Sequence, residues 1–190
     1  MKLIFATNNQ NKATEIKAAT GLRMDIVTLK EAGIDVDIPE PYDTLSENAE
    51  AKARTIFKMT CENCFSEDTG LEVDVLGGAP GVHTARYAGE QKSDKDNIAL
   101  LLRNLEGASN RNARFRTVIY LIYDGQHHTF EGICEGHIAE KASGADGFGY
   151  DPVFVPDGDT RTFAEMTMAE KAQYSHRKKA LEKLIAFLLK

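Results

Sequence analysis

Apolar and polar residues alternate along the chain in blocks that predict strands and helices in turn. Short apolar runs flanked by turn residues are typical of strands, and apolar residues three and four positions apart are typical of helices. Four runs fit the strand pattern: Lys2–Ala6, Asp25–Thr28, Phe115–Tyr123 and Gln126–Ile138. Asp124-Gly125 separates the last two runs, and this dipeptide is a strong signal for a β-hairpin.

The helical segments carry recognisable caps and apolar stripes. Asp43 or Thr44 is expected to cap a helix that runs to about Thr60, and Thr167-Met168-Ala169-Glu170 is a capping box. Lys52 lies beside the apolar stripe of the first of these helices, on a face where lysine is normally solvated. The other predicted helices are Ala13–Ala19, which ends at Gly21, a segment near Asp94–Leu105, and a last helix that begins at Ser175-His176-Arg177 and buries Leu181, Leu184, Ile185 and Leu188.

A central acidic and glycine-rich stretch is the most distinctive part of the chain. Glu67 and Asp68 come just before Thr69-Gly70, a turn signal, so the pair is predicted to end a strand. Neighbouring residues on a strand point to opposite faces, so only one of the two acids is expected to face a given pocket. The run Gly77–Gly81 then predicts a loop with unusual backbone angles. Such a strand end suits a metal or phosphate site, or is simply a solvated turn.

A polar segment follows the first strand and precedes the first helix. A helix start offers free backbone N–H groups that suit an anion, and a lysine there adds positive charge. The segment is not the phosphate-binding P-loop pattern, and an asparagine-rich helix cap would look the same. Its residues are Thr7, Asn8, Asn9, Gln10, Asn11 and Lys12.

A second glycine-rich segment, Gly144–Pro152, leads into a strand that contains proline. Because no helix follows it, the segment fails the test for dinucleotide binding. Glycines on both sides of Phe148 would let its ring present a face to a flat base, although an ordinary core phenylalanine is the alternative. The last predicted helix begins with His176 and Arg177. Basic residues at a helix start oppose the helix dipole and slightly destabilise the helix, a cost that makes sense if the two residues hold a ligand.

Composition narrows the class of protein. The 190 residues fit one domain or one domain with two lobes, and the net charge of −6 argues against a general nucleic-acid binder. No apolar run is long enough for a signal-peptide core or a membrane span, so we expect a soluble, cytoplasmic protein. Cys61, Cys64 and Cys134 are expected to be free thiols, because their number is odd and low and no secretion signal accompanies them. A zinc or redox role for the single C-x-x-C is disfavoured, because zinc would need a second pair and the motif follows a helix.

Five blocks, spread over nearly the whole chain, form one ordered set. They are Thr7…Asn9…Lys12; Glu47-Asn48-Ala49 with Lys52; Asp68-Thr69-Gly70-Leu71 with Gly77-Gly78-Ala79-Pro80-Gly81 and Ala85-Arg86-Tyr87; Gly147-Phe148-Gly149-Tyr150-Asp151-Pro152; and Ser175-His176-Arg177. In this order they resemble the inosine triphosphate pyrophosphatase family, the noncanonical purine nucleoside triphosphate pyrophosphatases. Glu67 departs from the pattern, because the family usually has Asp there.

The resemblance implies a two-lobed α/β fold with a long central mixed β-sheet flanked by helices and a substrate cleft between the lobes. It also implies a single domain over residues 1–190, a homodimer, and Mg²⁺ as cofactor. The implied reaction is hydrolysis of ITP, dITP and XTP to the monophosphate and pyrophosphate, with no nucleic-acid or membrane partner.

The same resemblance assigns roles to individual residues. By position, Asp68 resembles the catalytic general base, and Glu40 and Asp68 resemble the metal ligands. Lys12, Lys52 and Lys171 resemble contacts to the triphosphate. The other implied substrate contacts are Thr7, Asn8, Asn9, Gln10, Asn11, Thr69, Gly149 and Tyr150, together with a base pocket of Phe148, Asp151, His176 and Arg177. Arg86 could contact phosphate, brace its loop or meet a partner subunit.

The reaction needs these residue types. A triphosphate repels the attacking water, so positive charge must neutralise it, and Mg²⁺ needs only one or two protein carboxylates. His176 and Arg177 would donate hydrogen bonds to the 6-keto oxygen of hypoxanthine, whereas the 6-amino group of adenine would face them with another donor. Three other readings remain open at this point: a related pyrophosphatase for modified pyrimidines, a nucleotide sensor without turnover, and a structural C-x-x-C protein that zinc content would test.

Overall fold

The computed structural model describes residues 2–21 and 24–190 and has the predicted α/β class. The strands pair into a seven-stranded mixed sheet, accompanied in these residues by five α-helices. The strands are β1 (Lys2–Phe5), β2 (Asp25–Thr28), β3 (Cys64–Val73), β4 (Pro80–Gly81), β5 (Asn112–Tyr123), β6 (Gln126–Ile138) and β7 (Phe154–Pro156). The helices are α1 (Gln10–Thr20), α2 (Leu45–Thr60), α3 (Asp94–Asn104), α4 (Met168–Tyr174) and α5 (His176–Leu188).

The sheet order is β2-β1-β3-β5-β6-β7, and β4 pairs with β3. β1 runs parallel to both β2 and β3, whereas β4 is antiparallel to β3 and β7 is antiparallel to β6. The two-residue hairpin predicted at Asp124-Gly125 is confirmed, since both residues have positive φ angles of 48° and 73°. Parallel and antiparallel pairs in one sheet confirm its mixed character.

The chain divides into two compact units, each with its own apolar core. Unit 1 consists of Met1–Asp68, Thr117–Gly132 and Arg177–Lys190. Its core packs β1, α1 and α5 through residues such as Phe5, which stacks on Phe65 with ring centroids 4.6 Å apart. That the whole chain forms a single domain, and that a cleft lies between the lobes, stay predictions.

Unit 2 consists of Thr69–Arg116 and Ile133–His176. Its core joins β3, α3, β5 and β7 around Phe115, Phe154 and Phe163, whose rings lie within 4.7–6.3 Å of one another. The segment after β3 has the unusual backbone that its glycines predicted, with positive φ at Gly77, Gly78 and Gly81.

Local capping signals were reliable guides to the helices. The Thr44 side chain accepts a hydrogen bond from the amide of Glu47 and caps α2, which ends at Thr60 as predicted. Thr167 and Glu170 form the predicted reciprocal capping box at the start of α4. Among the described residues, no helix combines the length and the apolar character needed to cross a membrane.

Three predicted boundaries were wrong, and the first is the start of β5, which lies at Asn112 rather than Phe115. Thr69-Gly70 does not end a strand: β3 continues to Val73, because Leu71 and Glu72 pair with β4 and the next apolar side chains enter the core of unit 2. α1 begins at Gln10 rather than Ala13, because the Asn9 side chain accepts a hydrogen bond from the amide of Lys12 and caps the helix there.

Candidate active site

Two consecutive buried acids on β3, Glu67 and Asp68, form the centre of the candidate site. Each has its own set of basic partners. Asp68 is bonded to Lys52, whereas Glu67 is bonded to Arg177 and lies near Lys12. The separate partners agree with the expectation that neighbouring strand residues face different surroundings.

Lys52 joins two carboxylates. It lies on α2 and is buried rather than solvated, and its ammonium donates to Asp68 Oδ1 at 3.1 Å and to Glu40 on the loop before α2. Burial raises the pKa of the Asp68 carboxyl, and Glu40 adds to the rise, although Lys52 and Lys12 oppose it. Burial lowers the pKa of the Lys52 ammonium, but Asp68 and Glu40 outweigh burial and leave that pKa raised. Asp68 therefore binds a proton more readily than an exposed aspartate would.

Arg177 holds the other acid of β3. It lies in the first turn of α5, and its Nε donates to Glu67 Oε1 and Oε2 at 3.0 and 2.9 Å, while its Nη1 donates to Glu15 on α1. Lys12 Nζ lies 3.3 Å from Glu67 Oε1. Burial pushes the pKa of the Glu67 carboxyl upward, but Arg177 and Lys12 together outweigh it and hold that pKa below its ordinary value. Both members of this pair therefore stay charged.

The polar segment before Lys12 forms the cap and first turn of α1. Thr7 Oγ1 accepts from the amide of Asn9 at 3.1 Å, and the Asn8 side chain donates to the carbonyl of Val36 at 2.8 Å. Thr7 and Lys12 are half-buried, whereas the residues between them are exposed: Asn8, Asn9, Gln10 and Asn11. The segment thus offers accessible polar groups at a helix start, and a phosphate contact there stays a prediction.

Unit 2 arranges a second set of predicted substrate residues around Phe148. The Phe148 amide donates to Asp151 Oδ2 at 2.9 Å, and the same oxygen accepts from Lys171 Nζ at 2.7 Å. Lys171 Nζ also lies 5.0 Å from the centroid of the half-buried Phe148 ring. Gly147 has a φ of 81°, and a Cβ there would collide with the Asp151 side chain, so this turn requires glycine.

Three other predicted residues are also fixed by contacts. The Tyr150 hydroxyl donates to the carbonyl of Thr84 at 2.9 Å, and burial, with smaller contributions from Tyr87 and Asp94, raises its pKa. His176 stacks on Phe115, with ring centroids 4.7 Å apart and planes 14° from parallel. Thr69, also predicted to contact substrate, is half-buried on β3.

Comparison with known proteins identifies the family. A sequence profile of the Ham1 family matches residues 3–187. The chain belongs to the Ham1 family. The resemblance drawn from the motifs is thereby confirmed.

The Ham1 family includes relatives that match end to end. A protein of Porphyromonas gingivalis named dITP/XTP pyrophosphatase is 51% identical over 189 residues, which cover 99% of this chain and 97% of that protein. A protein of Christiangramia forsetii with the same name is 47% identical over the full length of both chains. The solved structure of a HAM1 protein from Coxiella burnetii superposes with a TM-score of 0.90 at 36% identity, covering 100% of this chain and 98% of that one.

The residues fit a magnesium ion by the chemistry of their donors. In residues 2–21 and 24–190, no group of three or more His, Cys, Asp or Glu side chains forms a ready metal cluster. Mg²⁺ does not need one, since it retains several waters and uses one or two carboxylates. Glu40 and Asp68 supply two carboxylates that both face the cationic Lys52 Nζ, so a positive charge already occupies their shared surroundings.

The site residues predicted from the sequence thus fall into two groups. Unit 1 brings together Lys12, Glu40, Lys52, Asp68 and Arg177, and unit 2 brings together Phe148, Asp151 and Lys171. Two carboxylates that sequence reasoning did not assign, Glu15 and Glu67, hold Arg177. A signal for Glu15 was available, because it lies three residues after Lys12 on the same helix.

Proposed function

We propose that this protein hydrolyses the noncanonical purine nucleoside triphosphates ITP, dITP and XTP to the monophosphate and pyrophosphate. The observation that carries the proposal is the cluster of Glu40, Lys52 and Asp68, because it places the buried Asp68 carboxylate and the half-buried Glu40 carboxylate beside one buried ammonium. Relatives named dITP/XTP pyrophosphatase that match over their whole length support the choice of substrate.

In the proposed reaction, water attacks the α-phosphorus of the nucleotide. A bond forms between the water oxygen and phosphorus, the bond from phosphorus to the pyrophosphate oxygen breaks, and the water proton passes to Asp68. The raised pKa of Asp68 suits a general base, since a carboxylate with a higher pKa accepts a proton more readily. Lys52 keeps the carboxylate oriented through the 3.1 Å hydrogen bond to Oδ1.

Charge balance in unit 1 supports a divalent cation. Among the described residues, the ion pairs around Glu67 and Asp68 join four carboxylates to three cations, and this net negative set would by itself repel a triphosphate: Glu15, Glu40, Glu67 and Asp68 against Lys12, Lys52 and Arg177. We propose that Glu40 and Asp68 hold Mg²⁺. When bound, Mg²⁺ would supply the positive charge that lets an anionic phosphate and a nucleophile approach.

We assign base recognition to Phe148, Asp151, His176 and Arg177. The glycines beside Phe148 leave its ring half-buried, and stacking on an aromatic ring stabilises any flat base. Donors of Arg177 and His176 would favour a 6-keto oxygen over the 6-amino group of adenine. Glu67 and Glu15 fix the orientation of the Arg177 guanidinium, which such discrimination requires.

The remaining substrate contacts follow the family resemblance. We propose that Lys12, Lys52 and Lys171 contact the triphosphate, helped by the helix start at Asn9. From the same resemblance we propose a homodimer. From the net charge and the short apolar runs of the sequence we propose a cytoplasmic protein with neither nucleic acid nor membrane as partner. The net charge of −6 supports the exclusion of nucleic acid.

The decisive experiment supplies purified protein and Mg²⁺ with ITP, dITP, XTP, GTP or ATP and identifies the products. We expect IMP and pyrophosphate from ITP, with turnover abolished in Asp68→Asn. Asp74→Asn is the matched control, because it makes the same change at an exposed position just after β3. Orthophosphate as product, or equal rates on all five nucleotides, would contradict the proposal. Tight binding of ITP without turnover would instead favour the sensor reading.

A further inference from the structure

The backbone at Phe148 is held by two carboxylates from different parts of the chain. The Phe148 amide donates to Asp151 Oδ2 at 2.9 Å, and the next amide, that of Gly149, donates to Asp94 Oδ2 at 2.8 Å. Asp151 is three residues away, but Asp94 is separated from Gly149 by 55 positions. The second bond therefore ties this turn to another element, helix α3.

The turn needs such ties to keep one conformation. Gly147 and Gly149 have φ angles of 81° and 63°, a region that glycine enters freely but shares with many other conformations. Glycine loses more conformational entropy on ordering than any other residue, so external hydrogen bonds must select the observed turn. The Phe148 side chain lies between these two glycines, and its orientation follows the turn.

Helix α3 is a rigid support for this purpose. Leu101 of this helix and Leu105, which caps its C-terminus, are buried in the core of unit 2, and Ser93 caps its first turn by accepting from the amide of Asp96. The same turn holds a second loop: Asn97 accepts from the Ala88 amide at 2.7 Å and donates to the Ala85 carbonyl at 3.0 Å. The start of α3 thus holds two segments, and predicted substrate residues lie on one of them, the turn of Phe148.

We propose that Asp94 is a positioning residue that fixes the face of Phe148 for stacking on the purine base. The inference rests on the proposed function, because it assumes that Phe148 meets the base. Asp94 acts through the Gly149 amide and does not contact the nucleotide. Its carboxylate also sits at the first position of α3, where the helix dipole favours a negative charge and holds it in place.

A single tryptophan can report on this turn without any nucleotide. The protein has no tryptophan, so Phe148→Trp introduces one emitter at the position of interest. We would measure acrylamide quenching of its emission alone and combined with Asp94→Ala, Asp94→Asn or Asp96→Ala. Asp96 is the matched control, because it is an exposed acid in the same first turn of α3.

We expect Asp94→Ala to increase quenching, because loss of one hydrogen bond changes the equilibrium between the ordered turn and a released turn about fivefold in favour of the released one. Asp94→Asn should restore the parent value, since its amide oxygen still accepts from Gly149. Asp96→Ala should leave quenching unchanged although it removes the same charge from the helix start. Unchanged quenching in Asp94→Ala, or equal increases in the Asp94→Ala and Asp96→Ala backgrounds, would overturn the proposal.

Steady-state kinetics with dITP test the consequence for the base in the native Phe148 background. We expect Asp94→Ala to raise KM about fivefold while kcat changes by less than about twofold, because binding is weakened more than chemistry. Asp94→Asn should again resemble wild type. A loss confined to kcat would overturn the positioning role. If wild type fails to release pyrophosphate from dITP, the proposed function is wrong, and the quenching comparison still decides whether Asp94 holds the turn.

Discussion

Replacing Glu67 by glutamine tests the buried charge pair at the centre of unit 1. The Glu67 side chain is 0% exposed and that of Arg177 is 4% exposed, and their two hydrogen bonds are 3.0 and 2.9 Å long. Glu67→Gln keeps the shape and one acceptor oxygen but removes the negative charge. The Arg177 guanidinium would then stay buried against a neutral amide, with Glu15 on its other side.

The expected cost follows from the burial of both groups. Removing one partner of a buried ion pair destabilises a protein by about 3–5 kcal/mol. Glu15 still balances part of the Arg177 charge and glutamine still accepts a hydrogen bond, so we expect about 2–3 kcal/mol. With an m-value of about 2–3 kcal/mol per molar urea, the unfolding midpoint should fall by about 1 M.

Glu72→Gln is the matched control on the same strand. The Glu72 side chain is 20% exposed and pairs at 2.6 Å with Arg114, which is 42% exposed. Such an exposed pair contributes about 0–1 kcal/mol, because solvent screens it. Urea unfolding would be followed by far-UV circular dichroism and tyrosine emission. Equal midpoint shifts for the two variants would refute the argument that burial makes the Glu67 pair strong.

The dependence on pH gives a second check of the same reasoning. Although burial alone would raise it, the pKa of Glu67 is lowered from 4.5 by Arg177 and Lys12, so the folded state favours the charged form. The charged Glu67 side chain contributes fully to the free energy of unfolding at pH values above the pKa that it has in the unfolded chain. This contribution is lost as the pH falls through its lower pKa in the folded protein. The difference in urea unfolding midpoint between wild type and Glu67→Gln should therefore be largest at neutral pH and should decrease on acidification below about pH 4.5. A difference that grows on acidification would contradict this sign.

Three further predictions concern the site and the thiols. Lys52→Met should raise the pKa of Asp68 further, because it removes the cation that opposes the rise. We expect kcat for pyrophosphate release to fall at least tenfold, where each tenfold is a loss of about 1.4 kcal/mol of transition-state stabilisation. The acid limb of the pH–kcat profile should move to higher pH. Phe148→Leu should raise KM for dITP by about 5- to 100-fold with little change in kcat, because base stacking contributes about 1–3 kcal/mol, and steady-state rates would check this. A thiol reagent should label Cys61 rapidly in the native protein, because Cys61 is exposed. Cys64 should be labelled only on unfolding, because it is buried and burial raises the pKa of its thiol to about 12. Peptide mapping would identify the labelled residue.

Local chemistry explains which parts of the fold could be predicted. The caps at Thr44 and Thr167 and the turn Asp124-Gly125 each depend on neighbours within a few residues, so their sequence signals were sufficient. The course of β3 through Thr69-Gly70 could not be predicted in the same way. It depends on pairing with β4 and on the Thr84 hydroxyl, which accepts from the Leu71 amide 13 positions away.

Predicting which residues form the site is a different problem from predicting which residues they pair with. Asp68, Lys52 and Arg177 could be selected by their resemblance to family motifs, but nothing in their spacing showed which acids would pair with them. Glu67 and Arg177 are separated by 110 positions, and Lys52 and Asp68 by 16. A buried charge must nevertheless have a partner, so the burial of Lys52 requires the acids beside it. Both of these acids, Glu40 and Asp68, were predicted from the sequence, but as metal ligands and not as partners of Lys52.

These pairings also constrain how the proposed substrate would be bound. Each of the basic residues expected to meet the nucleotide already faces a carboxylate: Lys12 faces Glu67, Lys52 faces Glu40 and Asp68, Lys171 faces Asp151, and Arg177 faces Glu67 and Glu15. The carboxylates hold the cations in defined orientations, but they also offset the attraction that a triphosphate would feel. A nucleotide that arrives with a divalent cation would bring positive charge to Glu40 and Asp68 and so reduce the repulsion between these carboxylates and the phosphates. The charge balance among these described side chains thus supports the proposal that the nucleotide binds together with a divalent cation.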